Sequence, residues 1–248
     1  MCSYIGIKVS KEQYIKLKQI EKQIGIIATL KTLQSGFEYK DWAIIKKSDK
    51  NKEEIDIINA HWEFIPPWIK TQSDLVAKRK QGIPWFNATA ENLLSSKMFR
   101  PSALERRCLI PVSHFFEWRQ YKHVGGKPIK YPYCIGLKNE NIFFLAGIYQ
   151  PWLNEETGES KNTFAIITTK TNEKMAAIHN TKLRMPTILE NDLAYEWIMN
   201  DLSETQINKI AGFQISSNSI NSFTITKDFR ISENPLQKFD YEGLKPLE

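Results

Sequence analysis

The chain opens Met-Cys-Ser-Tyr, and its second residue offers chemistry that no internal cysteine can. Aminopeptidases remove an initiator methionine when the next residue is small, and cysteine is small, so Cys2 is expected to become the amino terminus. Its α-amine, ordinarily titrating at about 7.7–8.0, and its thiol, at about 8.5, then sit on adjacent carbons. With an aldehyde the amine forms a Schiff base, and the sulfur can close on the imine carbon to give a thiazolidine ring. The plainer reading is that Cys2 is merely the second residue.

Three further side chains have the right chemistry to assist. His179 lies in KMAAIHNTKLRMP (174–186), between a short apolar run and a basic Arg-Met-Pro ending. Taken alone, it serves equally as a structural hydrogen-bonding group or as an acid or base. Glu117 lies in the aromatic run HFFEWR. Strand alternation puts it on the face of Phe115 and Arg119, where burial among rings raises a carboxyl toward acid and base work; the alternative is an edge carboxylate paired with Arg119. Asn87, in WFNATAEN, either orients a substrate or caps a turn. Trp62, Trp68 and Trp85 are stacking platforms for unpaired bases or core residues. Cys108 and Cys134, in apolar runs, read as core, and His61, His114 and His123 as structural.

These residues need a scaffold. Ser10-Lys11-Glu12-Gln13 has the form of a capping box and opens an amphipathic helix, KEQYIKLKQIEKQI. WAIIKK (42–47) predicts a strand, and SDKNKEEID a loop. The prolines of WEFIPPW (62–68) exclude a helix interior and suit an ordered aromatic loop. RCLIPVSHFFEW is a second apolar patch, followed by a hairpin at Gly125-Gly126 and the strands YPYCIGL, IFFLAGIY and TFAIITT. NDLAYEWIM predicts a helix capped by Asn191, and Ser203-Glu204-Thr205-Gln206 a capping box before a last helix. No repeat or linker divides the chain. The expectation is one α+β domain, with a central, largely antiparallel sheet or barrel-like β core flanked by helices.

Of 248 residues, 42% are hydrophobic and 25% charged, enough for a sizeable core and incompatible with a disordered chain. The net charge of +6 favours a polyanionic partner modestly. Three widely spaced cysteines argue against a disulfide framework or a zinc site, so no metal and no cofactor are expected. Neither a signal peptide nor a membrane span is expected, and a cytoplasmic, monomeric protein is the simplest reading.

Four segments taken together sharpen this: Met1-Cys2, WEFIPPW, FNATAENLLSSKMFRPSALERRCLIPVSHFFEW, and FAIITTKTNEKMAAIHNTKLRMPTIL. In this order and at these distances they resemble the SRAP family, SOS-response-associated peptidase-like proteins that shield abasic sites in single-stranded DNA. The likeness runs from Cys2 to about residue 230, leaving 231–248 as a tail. It implies that Cys2 joins the ring-opened abasic sugar as a thiazolidine, that Asn87 lies near the cysteine and the sugar, that Glu117 assists Schiff-base formation and ring opening, and that His179 is the acid or base on the sugar. It also implies DNA contacts at Trp62, Trp68, Thr89, Thr168 and Arg184, a single-stranded DNA partner carrying abasic sites, and association with the nucleoid when on DNA. Cysteine peptidase or amidase chemistry through Cys2 and His179, and a non-covalent strand-binding module, are the alternatives.

The chain departs from the family pattern. Ser3 and Tyr4 stand where relatives have Gly-Arg, Thr89 replaces an arginine, Glu63 replaces a glycine, and four residues separate His179 from Arg184 where many members have one or two. Lys182, Arg100, Arg106 and Arg107 are candidates to supply the missing charge.

Overall fold

The computed structural model describes residues 2–7, 31–82 and 84–247. The helix expected from the Ser10 capping box lies outside them. In chain order the strands and α-helices are β1 (Tyr4–Gly6), β2 (Gln34–Ser35), β3 (Asp41–Lys47), β4 (Ile55–Trp62), α1 (Gln72–Lys80), β5 (Asn87–Thr89), α2 (Arg100–Glu105), β6 (Arg107–Val112), β7 (His114–Lys122), β8 (Pro128–Leu137), β9 (Phe143–Leu153), β10 (Ser160–Lys170), α3 (Glu173–Ile178), β11 (Arg184–Pro186), β12 (Ile188–Leu189), α4 (Asn191–Met199), α5 (Glu204–Ala211) and β13 (Ile220–Thr224).

Strands β10, β4, β3, β6 and β9 pair in that order, and β9 pairs back with β10, so the ring closes into a barrel. All of these pairings are antiparallel except β4 with β10. Closure leaves the barrel strands paired on both sides, and where helices also cover the outer face the strands are continuous apolar runs, as in β6, whereas β4 keeps Asn59 exposed. All six residues of β6 are buried. Outside it lies α4, whose Trp197 indole donates to the carbonyls of Cys108 (3.1 Å) and Gly147 (3.2 Å). The fold is thus α+β with a barrel core flanked by helices.

Arg107 is a correction. Expected as a candidate for DNA charge, it is buried, and its guanidinium donates to the carbonyls of Ala103, Leu104, Trp197 and Asn200. It closes the C-terminal ends of α2 and α4, where unsatisfied carbonyls and the helix dipole both favour a cation. Asn191 is a smaller correction, because Glu190 holds the N-cap position of α4. The Ser203 capping box is present as expected.

A second sheet, in the order β13-β8-β7-β1-β2, carries the amino terminus. Ile5 pairs with Phe115 and Gly6 with His114 on β7, while Tyr4 pairs with Ser35 on β2. His114 Nε2 bonds the Thr32 carbonyl at 2.8 Å across Gly6. A Cβ on Gly6 would fall 2.1 Å from that oxygen and 2.2 Å from the imidazole nitrogen, so only glycine lets the three strands close. The backbone of Cys2 is therefore held by a strand paired on both sides instead of fraying. Residues beyond 230 lie against this sheet: Lys238 bridges Ile225, the Tyr241 hydroxyl donates to the Ile225 carbonyl, and Leu244 and Leu247 pack on the core.

Candidate active site

Three elements, β7, α3 and β5, bring side chains to Cys2. On β7, Glu117 faces the protein interior at 2% exposure, opposite Tyr133 of β8. Helix α3 starts at Asn172, whose side chain accepts from the Met175 N–H, and it stops at His179, where the chain turns toward β11. That turn carries the imidazole to Glu117, with 3.6 Å between Nδ1 and Oε1. From β5, which extends the barrel beside β10, the Asn87 amide donates to the Cys2 carbonyl at 3.0 Å. The other amide atom, Oδ1, is buried with no hydrogen-bond partner among the described residues, so one acceptor next to Cys2 stands ready for a ligand's donor.

Electrostatics fixes the protonation states. Burial pushes the Glu117 carboxyl up to about 8, because a carboxylate is costly away from water. Burial lowers His179 to about 4 for the complementary reason. The His179 Nδ1 to Arg184 carbonyl bond, at 2.6 Å, requires the proton on Nδ1, since a carbonyl only accepts. Near pH 7 the site therefore holds a neutral carboxyl that can give a proton beside an imidazole whose Nε2 can take one. Cys2 is fully buried, and burial together with the nearby Glu117 charge raises its thiol well above the ordinary cysteine range. The other cysteines, Cys108 and Cys134, are buried free thiols, and burial pushes Cys134 up to about 12.

A family model described as SOS response associated peptidase (SRAP) matches residues 1–229. The chain belongs to the SRAP family. It is 39% identical over 137 residues to a Bacillus subtilis protein named abasic site processing protein YoqW, covering 55% of this chain and 54% of that protein. It is 26% identical over 159 residues to Escherichia coli abasic site processing protein YedK, covering 64% and 62%. The chain spans about half the length of the curated relatives it matches first. Among solved structures, a Bacteroides thetaiotaomicron protein superposes with a TM-score of 0.79 at 29% identity, over 95% of this chain and 97% of that one.

Against this SRAP frame, the residues expected to meet DNA divide. Trp68 is exposed and Thr89 half-buried at the end of β5. Trp62 is corrected: it is fully buried, stacked on Phe164 and donating to the Phe86 carbonyl, so it cannot stack on a base. Thr168 is likewise fully buried in β10. Arg184 is half-buried and engaged within the protein: its guanidinium makes a two-pronged bond with Glu91 (2.6 and 2.8 Å) and also reaches the Thr168 carbonyl. Arg100 is paired with Glu204, and Arg106 with Glu105, Ser102 and Gln150. Arg119 bonds the Lys245 carbonyl and the Tyr133 hydroxyl, not Glu117.

The departures have structural accounts. Tyr4 packs edge-on against Trp118 and Phe229, and the exposed Arg230 donates to its hydroxyl at 3.3 Å. Glu63 is fully buried and bonded to Arg79 of α1, which fastens that helix to the aromatic loop. Sequence reasoning missed Glu91, the partner of Arg184, although it stands two residues after Thr89 in the quoted segment. It also missed Asn180, whose amide clamps Gln120, because a lone asparagine after a histidine gives no signal of its long-range partner.

Proposed function

We propose that this chain binds single-stranded DNA at an abasic site and joins it covalently through Cys2. The observation that carries the reading is the buried Glu117–His179 pair beside a cysteine that removal of Met1 would make amino-terminal. The ring-opened sugar presents an aldehyde. The Cys2 amine adds to it, with a proton moving from nitrogen to the carbonyl oxygen; the neutral Glu117 carboxyl then protonates the departing hydroxyl and recovers a proton from the nitrogen, so a neutral carbon–nitrogen double bond forms and water leaves. The Cys2 sulfur then bonds the same carbon as the double bond opens. Its thiol proton passes through His179 Nε2 to the nitrogen, closing the thiazolidine. Asn87 holds the Cys2 carbonyl and offers its free Oδ1 to the amine or to a sugar hydroxyl. Trp68 and Lys182, both exposed, and Thr89 are the strand contacts this reading retains.

The peptidase alternative would use the same transfer of the Cys2 thiol proton to His179 Nε2, but it also needs an oxyanion-stabilising donor pair and a peptide substrate, and no observation here favours it over capture of an aldehyde.

Protein freed of Met1, incubated with a single-stranded oligonucleotide bearing one abasic site, should give a species that survives a denaturing gel. Its absence, with Met1 removal verified by mass, overturns the proposal.

A further inference from the structure

Asn180-Thr181-Lys182-Leu183 joins His179 to Arg184. The turn is held firmly. Asn180 Nδ2 donates to the Gln120 carbonyl at 2.8 Å, and its Oδ1 accepts from the Gln120 N–H at 3.0 Å. The Leu183 N–H donates to the His179 carbonyl at 3.0 Å, and its own carbonyl accepts from the Thr171 N–H at 3.2 Å.

Within this frame Leu183 adopts φ 51°, the left-handed region that a leucine disfavours and that glycine or asparagine occupies readily. Among the described residues only one other non-glycine, Tyr39, has a positive φ, and it is packed under the Arg79 guanidinium at 3.8 Å. Leu183 has no such cover. It is 51% exposed and outside the hydrophobic clusters of the described residues. A rigid turn thus holds an aliphatic side chain in water, beside the acid–base pair, in a backbone conformation that its own type opposes. Lys182, next to it, is exposed, and its charge acts on both Glu117 and His179.

We propose that Leu183 is a wedge that enters the gap left by a missing base and packs on the face of the neighbouring base, with Lys182 against the flanking phosphate. The inference rests on the reading that the strand is abasic. Where a nucleotide has lost its base, the adjacent base exposes an apolar face, and proteins fill such openings with aliphatic or aromatic side chains. The contact needs no hydrogen bonding, so it is indifferent to which base flanks the lesion. An intact nucleotide occupies the same space with its own base and collides with a side chain that the clamped turn cannot withdraw. Leu183 is then a positioning and specificity residue, distinct from the groups that transfer protons.

The test is Leu183→Gly and Leu183→Asn, both of which suit the left-handed backbone and should melt no lower than the parent protein. Two binding constants are measured for each, one for a single strand with a tetrahydrofuran spacer, which lacks a base and cannot open, and one for the intact strand. Wild type should prefer the spacer strand, and both variants should lose about tenfold of that preference, the scale of one base-stacking contact. Leu183→Met, apolar but unbranched, should keep most of it. An unchanged preference in the glycine and asparagine variants, or an equal loss toward both strands, overturns the wedge while adduct formation by wild type still stands. A wild type that neither prefers the spacer strand nor forms an adduct with an abasic one removes the functional reading, and the wedge falls with it.

Discussion

Among the described residues two carboxylates lie inside the protein, Glu63 and Glu117, and they have opposite surroundings. Glu63, below the barrel's aromatic loop, receives the Arg79 Nε at 3.0 and 3.2 Å and its terminal nitrogen as well, while that guanidinium also lies over the Tyr39 ring. Glu117 has the His179 imidazole at 3.6 Å, and burial carries it up to about 8. A buried carboxylate balanced by a permanent cation is a fixed charge that ties two elements together. One facing a neutral ring is a proton carrier near neutral pH. The first belongs to the framework and the second to chemistry.

Substitution separates the two most sharply at Glu117. Glu117→Gln should slow adduct formation with an abasic strand by about 10²–10³-fold, the usual contribution of a positioned proton donor. The same change should leave the melting temperature at pH 7 nearly unaltered, because an amide replaces a largely protonated carboxyl of the same shape. A collapse of stability with an unaffected rate would reverse the roles assigned here.

The converse change comes next in size. Glu63→Gln leaves the Arg79 guanidinium without its counter-charge and should cost about 3 kcal/mol in urea denaturation, toward the low end for a buried pair because Arg79 is partly exposed. Adduct formation per folded molecule should not change. A large loss of rate at intact stability would place Glu63 in the chemistry after all.

The pH dependence of stability sharpens the contrast further. Glu117 binds its proton up to about 8 in the folded chain but only to about 4.5 when unfolded, so its contribution is complete below 4.5 and disappears as pH rises through 8. His179 is lowered from 6.5 to about 4 by burial, so its contribution is present above 6.5 and lost as pH falls toward 4. The two slopes oppose each other at acid pH, and only that of Glu117 remains above 6.5. Wild type should lose up to about 2 kcal/mol between pH 6.5 and 8, and Glu117→Gln should flatten that fall. Equal slopes in both proteins would mean that Glu117 is ionised in the fold.

The smallest effect concerns Glu91. Glu91→Gln releases the Arg184 guanidinium from its two-pronged bond while costing under about 1 kcal/mol, as expected of a partly exposed pair. The freed cation should tighten binding to an intact strand and steepen its logarithmic salt dependence by about 0.7, the increment for one phosphate on a single strand.

The residues differ in how plainly the sequence announced them. Barrel strands β3, β9 and β10 were legible in WAIIKK, IFFLAGIY and TFAIITT because a largely buried wall is written in apolar runs, whereas β4 was not, since Asp56 and Asn59 interrupt its apolar pattern. The burial of Glu117 followed from its aromatic neighbours, but the imidazole facing it comes from sixty-two positions later, and no local pattern encodes that meeting. The charges misled for the same reason. An arginine looks alike in sequence whether it faces phosphate or closes helix ends, and Arg107, Arg184 and Arg100 found partners at sequence distances of about ninety to a hundred residues. Trp62 misled because a proline-rich aromatic loop gives no hint of which ring points inward, and only Trp68 remains exposed.

Both nucleophiles of Cys2 should end on one sugar carbon, and peptide mapping of the denatured adduct by mass spectrometry reads this out. The amino-terminal peptide should begin at Cys2, carry the opened sugar with the loss of one water, and resist thiol alkylation. An adduct whose Cys2 thiol still alkylates, or one attached at any other residue, would contradict it.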